Sequence, residues 1–255
     1  MMSHTPPAED AWSPEVRARL DALLAGPAGT AVFDWDDTVL QGDVGIALLD
    51  THDATHGTRW HARYDALLEE GGRAAAYPAL TAFFAGYTPQ RLHDFCETVV
   101  ARTLDGDLAR FRPRMKELIT ELHEAGWEVW VVTASPAALV RVMAGRLGIP
   151  THRVIGMDLH VDADGRYTAE VRQPATFCEG KLAAIDVHIG RRPELCAGDS
   201  RSDAWMLDAA GTALLIDGHD AELREEARRK GWAIQSGWTH SPPEPGVVAA
   251  PPPRR

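Results

Sequence analysis

The chain has 255 residues, 45% of them apolar and 25% charged, and 26 basic against 37 acidic side chains leave a formal charge of −11. That length holds roughly one or two domains and buries enough surface to need no disulfide staples. The composition excludes wholesale disorder, and the acidic balance excludes a protein that tracks nucleic acid or an anionic membrane surface.

Residues 1–12 hold no basic residue and no apolar core, so no secretory signal or transit peptide is expected there. Ser13-Pro14-Glu15 reads as N-cap, first-turn proline and first-turn acid, opening a helix to about Ala25 that Gly26-Pro27 stops. Residues 30–33 are a short buried strand. Residues 43–112 then lose strand alternation and carry helical patterning with many aromatics (Trp60, Tyr64, Tyr77, Phe83, Phe84, Tyr87 and Phe95). Pro113 starts a helix with Met115, Leu118, Ile119 and Leu122 on one face, ending at Gly126. Residues 127–133 are a strand and 136–147 a helix. Residues 154–156 form a short strand, and 158–161 with 167–171 flank the turn Asp162-Ala163-Asp164-Gly165 as a hairpin. A helix over 179–189 follows, then strands at 195–197, 213–216 and 233–234 with helices near 201–210 and 219–230 between them.

Strands alternating with helices predict an α/β fold with a parallel, Rossmann-like sheet. The helical block interrupts that alternation after the first strand. The expected organisation is therefore an α/β core over 13–42 and 113–240, with an inserted α-helical domain over 43–112. The tail, 241–255, contains Pro242, Pro243, Pro245 and Pro251 to Pro253 and is expected to be disordered. No run of about 18 apolar residues is present, so no transmembrane helix is expected. Cys96, Cys178 and Cys196 are odd in number, widely spaced and free of CxxC, which fits a reducing, cytoplasmic setting.

In parallel α/β sheets, ligands bind at the carboxyl ends of the strands. Here those ends carry Asp34-Trp35-Asp36-Asp37-Thr38, then Thr133-Ala134-Ser135, then Gly198-Asp199-Ser200-Arg201-Ser202-Asp203, while Lys181 lies in the first turn of a helix. Clustered carboxylates suit Mg²⁺, which prefers hard oxygen ligands. One lysine among them suits a phosphate.

With these four motifs in order over roughly residues 28–235, the chain resembles the haloacid dehalogenase superfamily of phosphohydrolases. Its helical insertion resembles the cap of the phosphoserine-phosphatase-like branch, and phosphorylcholine-phosphatase-like enzymes are similar. The resemblance implies a Mg²⁺-dependent phosphomonoesterase acting on a small phosphorylated metabolite. In that reading Asp34 is the nucleophile that forms an aspartyl-phosphate, and Asp36 the general acid and then base. The second acid favours phosphoryl chemistry over C–halogen cleavage. Thr133 and backbone N–H groups near Ala134 hold phosphoryl oxygens, and Lys181 neutralises charge and orients Asp34. Asp34, the backbone carbonyl of Asp36 and Asp199 ligate Mg²⁺, with Asp203 supporting them. Asp37 receives no role. A phosphotransferase using the same intermediate is the alternative enzyme, and a phosphate-binding module without turnover the alternative outside catalysis. The intact acids and lysine argue against the latter.

The resemblance also offers Asp43 as the carboxylate that meets a substrate amine, with helix capping as its bland role. An amine or choline ester would suit Asp43 and aromatic faces. The same aromatics at helical spacing are more simply the insertion's own core. Phosphoserine would need a cation as well, and Arg59, Arg63 and Arg73 are candidates. His52 and His56 have metal-ligand spacing, with His61 nearby, but no HExxH acid or cysteine accompanies them, so ordinary surface histidines are expected. No GxxxxGK, GxGxxG or GxSxG occurs.

Overall fold

The structure is a computed structural model and describes residues 11–104, 110–218 and 220–238. The proline-rich tail therefore lies outside the described residues. Helix α1 (Pro14–Leu24) opens as read, with the Ser13 side chain accepting from the Val16 N–H. Strand β1 (Thr30–Phe33) follows, then the two-residue β2 (Leu40–Gln41). Helices α2 (Val44–His56), α3 (Trp60–Ala76), α4 (Ala79–Ala82) and α5 (Pro89–Leu104) come next, and β3 (Arg110–Phe111) pairs antiparallel with β2 to close the excursion. The chain returns through α6 (Pro113–Glu124), β4 (Glu128–Pro136), α7 (Ala137–Gly145) and β5 (Val154–Met157). The hairpin β6 (Leu159–Val161) and β7 (Tyr167–Val171) is antiparallel. Helix α8 (Glu179–His188), β8 (Leu195–Gly198), a 3-10 turn (Arg201–Asp203), α9 (Ala204–Ala209), β9 (Thr212–Ile216), α10 (Ala221–Lys230) and β10 (Ala233–Gln235) complete it. The helix read near 201–210 is thus split, because Ser200 and Asp203 close a capping box around a tight turn before α9 begins.

The main sheet has the order β10-β9-β8-β1-β4-β5, and every described pair in it is parallel. Alternate residues of each strand serve opposite faces. Ala31, Phe33, Val129 and Val131 join α1, α6 and α7 in one apolar core, while Val32, Val132 and Cys196 join Ala184 and Ile185 of α8, Met206 and Leu207 of α9 and Leu223 of α10 in the other. Three layers result, helices over both faces of a parallel sheet. The chain leaves β1 toward β4 and β5, then crosses to β8, so the strand order reverses beside β1. That switch point is where such sheets open a crevice for ligands.

Helices α2 to α5 pack by the first core, with α5 against α7. Tyr64, Phe83, Phe84, Tyr87 and Phe95 are buried there, and the Phe83 and Phe84 rings lie 4.1 Å apart. These aromatics are core residues, as expected, but the core is one they share with the sheet and with α1, α6 and α7 rather than one of the segment's own. The expectation of surface histidines fails at His52. It is 5% exposed, its ring nitrogens meeting Thr58 Oγ1 at 2.9 Å and the Tyr87 hydroxyl at 3.3 Å. Packing against Phe83 and Phe95 buries it, and those two partners satisfy it as a core histidine.

Candidate active site

Strand β1 ends by handing Asp34 to the site, where its N–H donates to the Ala197 carbonyl of β8 at 2.9 Å. The next turn is wound tightly: the Trp35 carbonyl accepts from the N–H groups of Thr38, Val39 and Leu40. Asp37 takes a left-handed φ of 49° to allow it. The winding turns Asp36 toward β4 and Thr38 toward the end of β8. Asp36 accepts from Ser135 Oγ at 2.6 Å and from the Val44 N–H at 2.8 Å. Thr38 Oγ1 donates to Asp199 Oδ1 at 3.2 Å.

Lys181 arrives from the first turn of α8. Its Nζ donates to Asp34 Oδ1 at 2.6 Å and to Asp203 Oδ1 at 2.5 Å, and the side chain is 1% exposed. The approach depends on Gly180, where a Cβ would fall 1.8 Å from the Ala175 carbonyl oxygen. Asp203 is fully buried and saturated, its Oδ2 accepting from the Asp199 and Ser200 N–H groups and from Ser200 Oγ. It folds back over Gly198, where any Cβ would clash with its own. A carboxylate oxygen from each of Asp34, Asp199 and Asp203 lies within 4.8 Å of the others.

Burial shapes the electrostatics. It pushes the Asp34 carboxyl up to about 6, the Asp203 charge adding to it and Lys181 opposing. Asp199 is held well above the carboxylate range by burial and then by Asp203, Asp34 and Asp37. Burial also raises Asp36 well above that range, the Asp43 charge adds to this, and the Ser135 and Val44 donors resist it. For Lys181, burial works to discharge the ammonium, but Asp203 and Asp34 outweigh it and raise its pKa. A buried lysine with two carboxylate partners is thus a fixed cation.

Geometry of this kind, acids and a lysine at the mouth of a parallel sheet, can hold a phosphoryl group and its counter-ion. The haloacid dehalogenase-like hydrolase family profile matches residues 31–208. The chain belongs to that family. A phosphoserine phosphatase of Mycobacterium tuberculosis is 30% identical to the hydrolase over 80% of this chain and 70% of its own. The phosphorylcholine phosphatase of Pseudomonas aeruginosa is 28% identical over 77% and 76%. A substrate-bound phosphoserine phosphatase structure shares the fold, with a TM-score of 0.56 at 16% identity, covering 84% of this chain and 95% of its own. The hydrolase is a phosphatase.

Most of the residues read from its sequence meet in one place. Asp34, Lys181, Asp199 and Asp203 are in direct contact or near it. Asp36 stands beside them with its carboxylate turned to Ser135 and Val44, apart from the three clustered acids. Thr133 is buried, and its Oγ1 accepts from the Ser135 N–H at 3.0 Å. Asp43 caps α2, accepting from the Ile46 N–H at 3.0 Å, while its charge is felt at Asp36. Of the three arginines, Arg59 and Arg63 are exposed. Arg73 is half-buried, lies over the Tyr77 ring and acts electrostatically on Cys178, the N-cap residue of the helix that carries Lys181. Tyr77 meets Phe177 edge-on at 5.8 Å. Sequence reasoning assigned no task to Ser135, which stood in plain view two residues beyond Thr133, nor to Arg112, for which a lone arginine before Pro113 gave no signal. Among the described residues no helix is long and apolar enough to cross a membrane.

Proposed function

We propose that this hydrolase is a magnesium-dependent phosphomonoesterase working through an aspartyl-phosphate, with small amino-bearing phosphate esters of the phosphoserine type as substrates. The observation that carries the reading is the fixed ammonium of Lys181 between Asp34 and Asp203, with Asp36 and its raised pKa two residues from Asp34. Asp34 attacks phosphorus, so that its oxygen–phosphorus bond forms as the bond to the ester oxygen breaks. Asp36, whose protonated form burial favours, gives its proton to that leaving oxygen. Water then replaces the alcohol. Asp36 takes a proton from it as it attacks phosphorus, and inorganic phosphate leaves with Asp34 restored. Lys181, the Thr133 hydroxyl and the N–H groups near Ala134 hold the phosphoryl oxygens.

Three clustered carboxylates facing one ammonium leave negative charge in excess, and an oxygen-only donor set suits a hard divalent cation. Asp34, Asp199 and the Asp36 carbonyl would hold Mg²⁺, with saturated Asp203 orienting them from behind. When bound, the ion neutralises charge on the phosphoryl oxygens.

In this reading Asp43 would meet a substrate ammonium, and Arg73, the half-buried one of the three arginines, a substrate carboxylate. Relatives that act on phosphoserine and on phosphorylcholine support a substrate with a cationic nitrogen in both cases. Tyr77 and Phe177 favour phosphorylcholine as the second reading, since aromatic faces attract quaternary ammonium. The three free cysteines suit the reducing cytoplasm.

The test is hydrolysis of p-nitrophenyl phosphate, phosphoserine and phosphorylcholine by wild type and Asp34→Asn, with Mg²⁺ or EDTA. Activity should require Mg²⁺ and fall at least about 10³-fold in Asp34→Asn, as loss of a nucleophile does elsewhere. Full activity in that variant would overturn the mechanism, and equal kcat/KM for all three esters would overturn the substrate assignment.

A further inference from the structure

Arg112 is 2% exposed, a guanidinium taken almost entirely out of water. Such a group is costly to bury unless its donors are met. It stands just before α6, where β3 hands the chain back to the core. Its own N–H donates to the Val39 carbonyl at 2.9 Å. From there the side chain reaches into the turn that follows the nucleophile strand. Nε and Nη2 donate to the Asp37 carbonyl at 3.3 and 3.1 Å, and Nη2 lies 3.6 Å from Asp37 Oδ1. Both the carbonyl and the carboxylate of one residue thus face one planar cation.

Asp37 is the turn's awkward point. Its φ of 49° lies in the left-handed region, which disfavours a residue with a side chain unless its surroundings hold it there. On one side of it Asp36 reaches Ser135 and Val44, and on the other Thr38 reaches Asp199. A relaxation of Asp37 would rotate both neighbours away from those partners.

Trp238 lies against the guanidinium, its ring centroid 5.4 Å from the guanidinium carbon. Trp238 is itself pinned. Its Nε1 donates to the Ala11 carbonyl at 3.3 Å, and its ring stands 4.8 Å from Trp12. Gln235 fastens the same place, donating to the Ala11 carbonyl and accepting from the Ser13 N–H at 2.8 Å.

We propose that Arg112 is a positioning residue for phosphoryl transfer: held between Asp37 and Trp238, it keeps Asp34, Asp36 and Thr38 in register with Asp199. The proposal rests on Asp34 and Asp36 being the reacting groups. Its effect belongs to the chemical step and to the metal ligands rather than to the leaving group, which Arg112 does not touch.

The experiment measures kcat, KM and the Mg²⁺ half-saturation for p-nitrophenyl phosphate in wild type, Arg112→Met, Arg112→Lys and Trp238→Leu, with circular dichroism on each. Arg112→Met should lose at least about tenfold in kcat and raise the Mg²⁺ half-saturation, with KM within about twofold, since small misplacements of reacting groups are costly. Arg112→Lys should recover part of the loss, because an ammonium still bonds the Asp37 carbonyl but cannot cover it as a plane. Trp238→Leu should fall between wild type and Arg112→Met. A folded Arg112→Met with kcat and Mg²⁺ half-saturation within twofold of wild type overturns the proposal. If that variant does not fold, Arg112→Lys and Trp238→Leu decide it, and unchanged kcat and Mg²⁺ half-saturation in both overturn it. The mechanism itself fails separately, through an active Asp34→Asn.

Discussion

Asp34 and Asp36 stand two positions apart and are given opposite tasks by their partners. Lys181 touches Asp34 at 2.6 Å and favours its ionised form against burial. Asp36 has no cation among its strongest influences and is left to burial and to Asp43, which favour retention of its proton. The Ser135 hydroxyl, donating at 2.6 Å, is what keeps that retention in bounds. In Ser135→Ala the Asp36 carboxylate loses a donor that stabilises its charge, so its pKa rises further. Protonation of an alkyl leaving group needs the acid form. The alkaline limb of kcat/KM for phosphoserine should therefore move to higher pH, with maximal kcat reduced about tenfold. A pH–rate profile reads both, and a limb that moves down or stays would remove Ser135 from the acid's control. The four motifs were legible because each sits next to a strand end or helix start that periodicity already located. The links between them, Ser135 to Asp36 and Thr38 to Asp199, were not, because they depend on strand neighbours far apart in sequence.

At the scale of elements, the acid that caps α2 is also the one proposed to meet the substrate's nitrogen. Asp43 accepts from the Ile46 N–H, a bond that an asparagine side chain can also accept and an alanine cannot. Asp43→Ala should cost about 1 kcal/mol of stability, whereas Asp43→Asn should cost little. If the charge meets a substrate ammonium, both variants raise KM for phosphoserine by roughly tenfold and leave KM for p-nitrophenyl phosphate unchanged. Thermal melts with KM for the two esters separate these effects, and an unchanged phosphoserine KM in Asp43→Asn would leave capping as the whole role. The helical character of the block around this helix was readable, though its division into α2 to α5 was not. Strands β2 and β3 were not, since two residues have no period to read. Nor was the break in α3, although Gly71-Gly72 marks it: Gly72 takes φ 64° and ψ −165°, and beyond it Arg73 and Tyr77 turn toward Cys178 and Phe177. His52 reads as surface only until α5 supplies Phe95 and the loop before it Tyr87.

For the whole molecule, the charge of −11 poses the question of how an anionic ester is accepted. Part of the excess acid is concentrated at the mouth of the sheet, where burial makes ionisation costly without a cation. The folded-state pKa of Asp34, about 6, lies above its usual value of 3.8. Between those pH values the unfolded chain holds fewer protons than the folded one, so in metal-free protein this group lowers stability as pH rises from about 4 to 6. The raised pKa of Lys181 contributes evenly below about 10 and does not alter that window. Mg²⁺ should bind where protons have left. At a hundredfold excess over its Kd it adds about 2.7 kcal/mol, a rise in Tm of roughly 5–10 °C for a chain of this size. At pH 7.5 that full rise is expected, while at pH 5 protons hold Asp34 and the rise shrinks. Asp199→Asn should abolish it at both. Thermal melts of EDTA-treated protein with and without Mg²⁺ measure the four values. A shift as large at pH 5 as at pH 7.5, or one that survives Asp199→Asn, would place the cation on surface acids instead of the buried cluster.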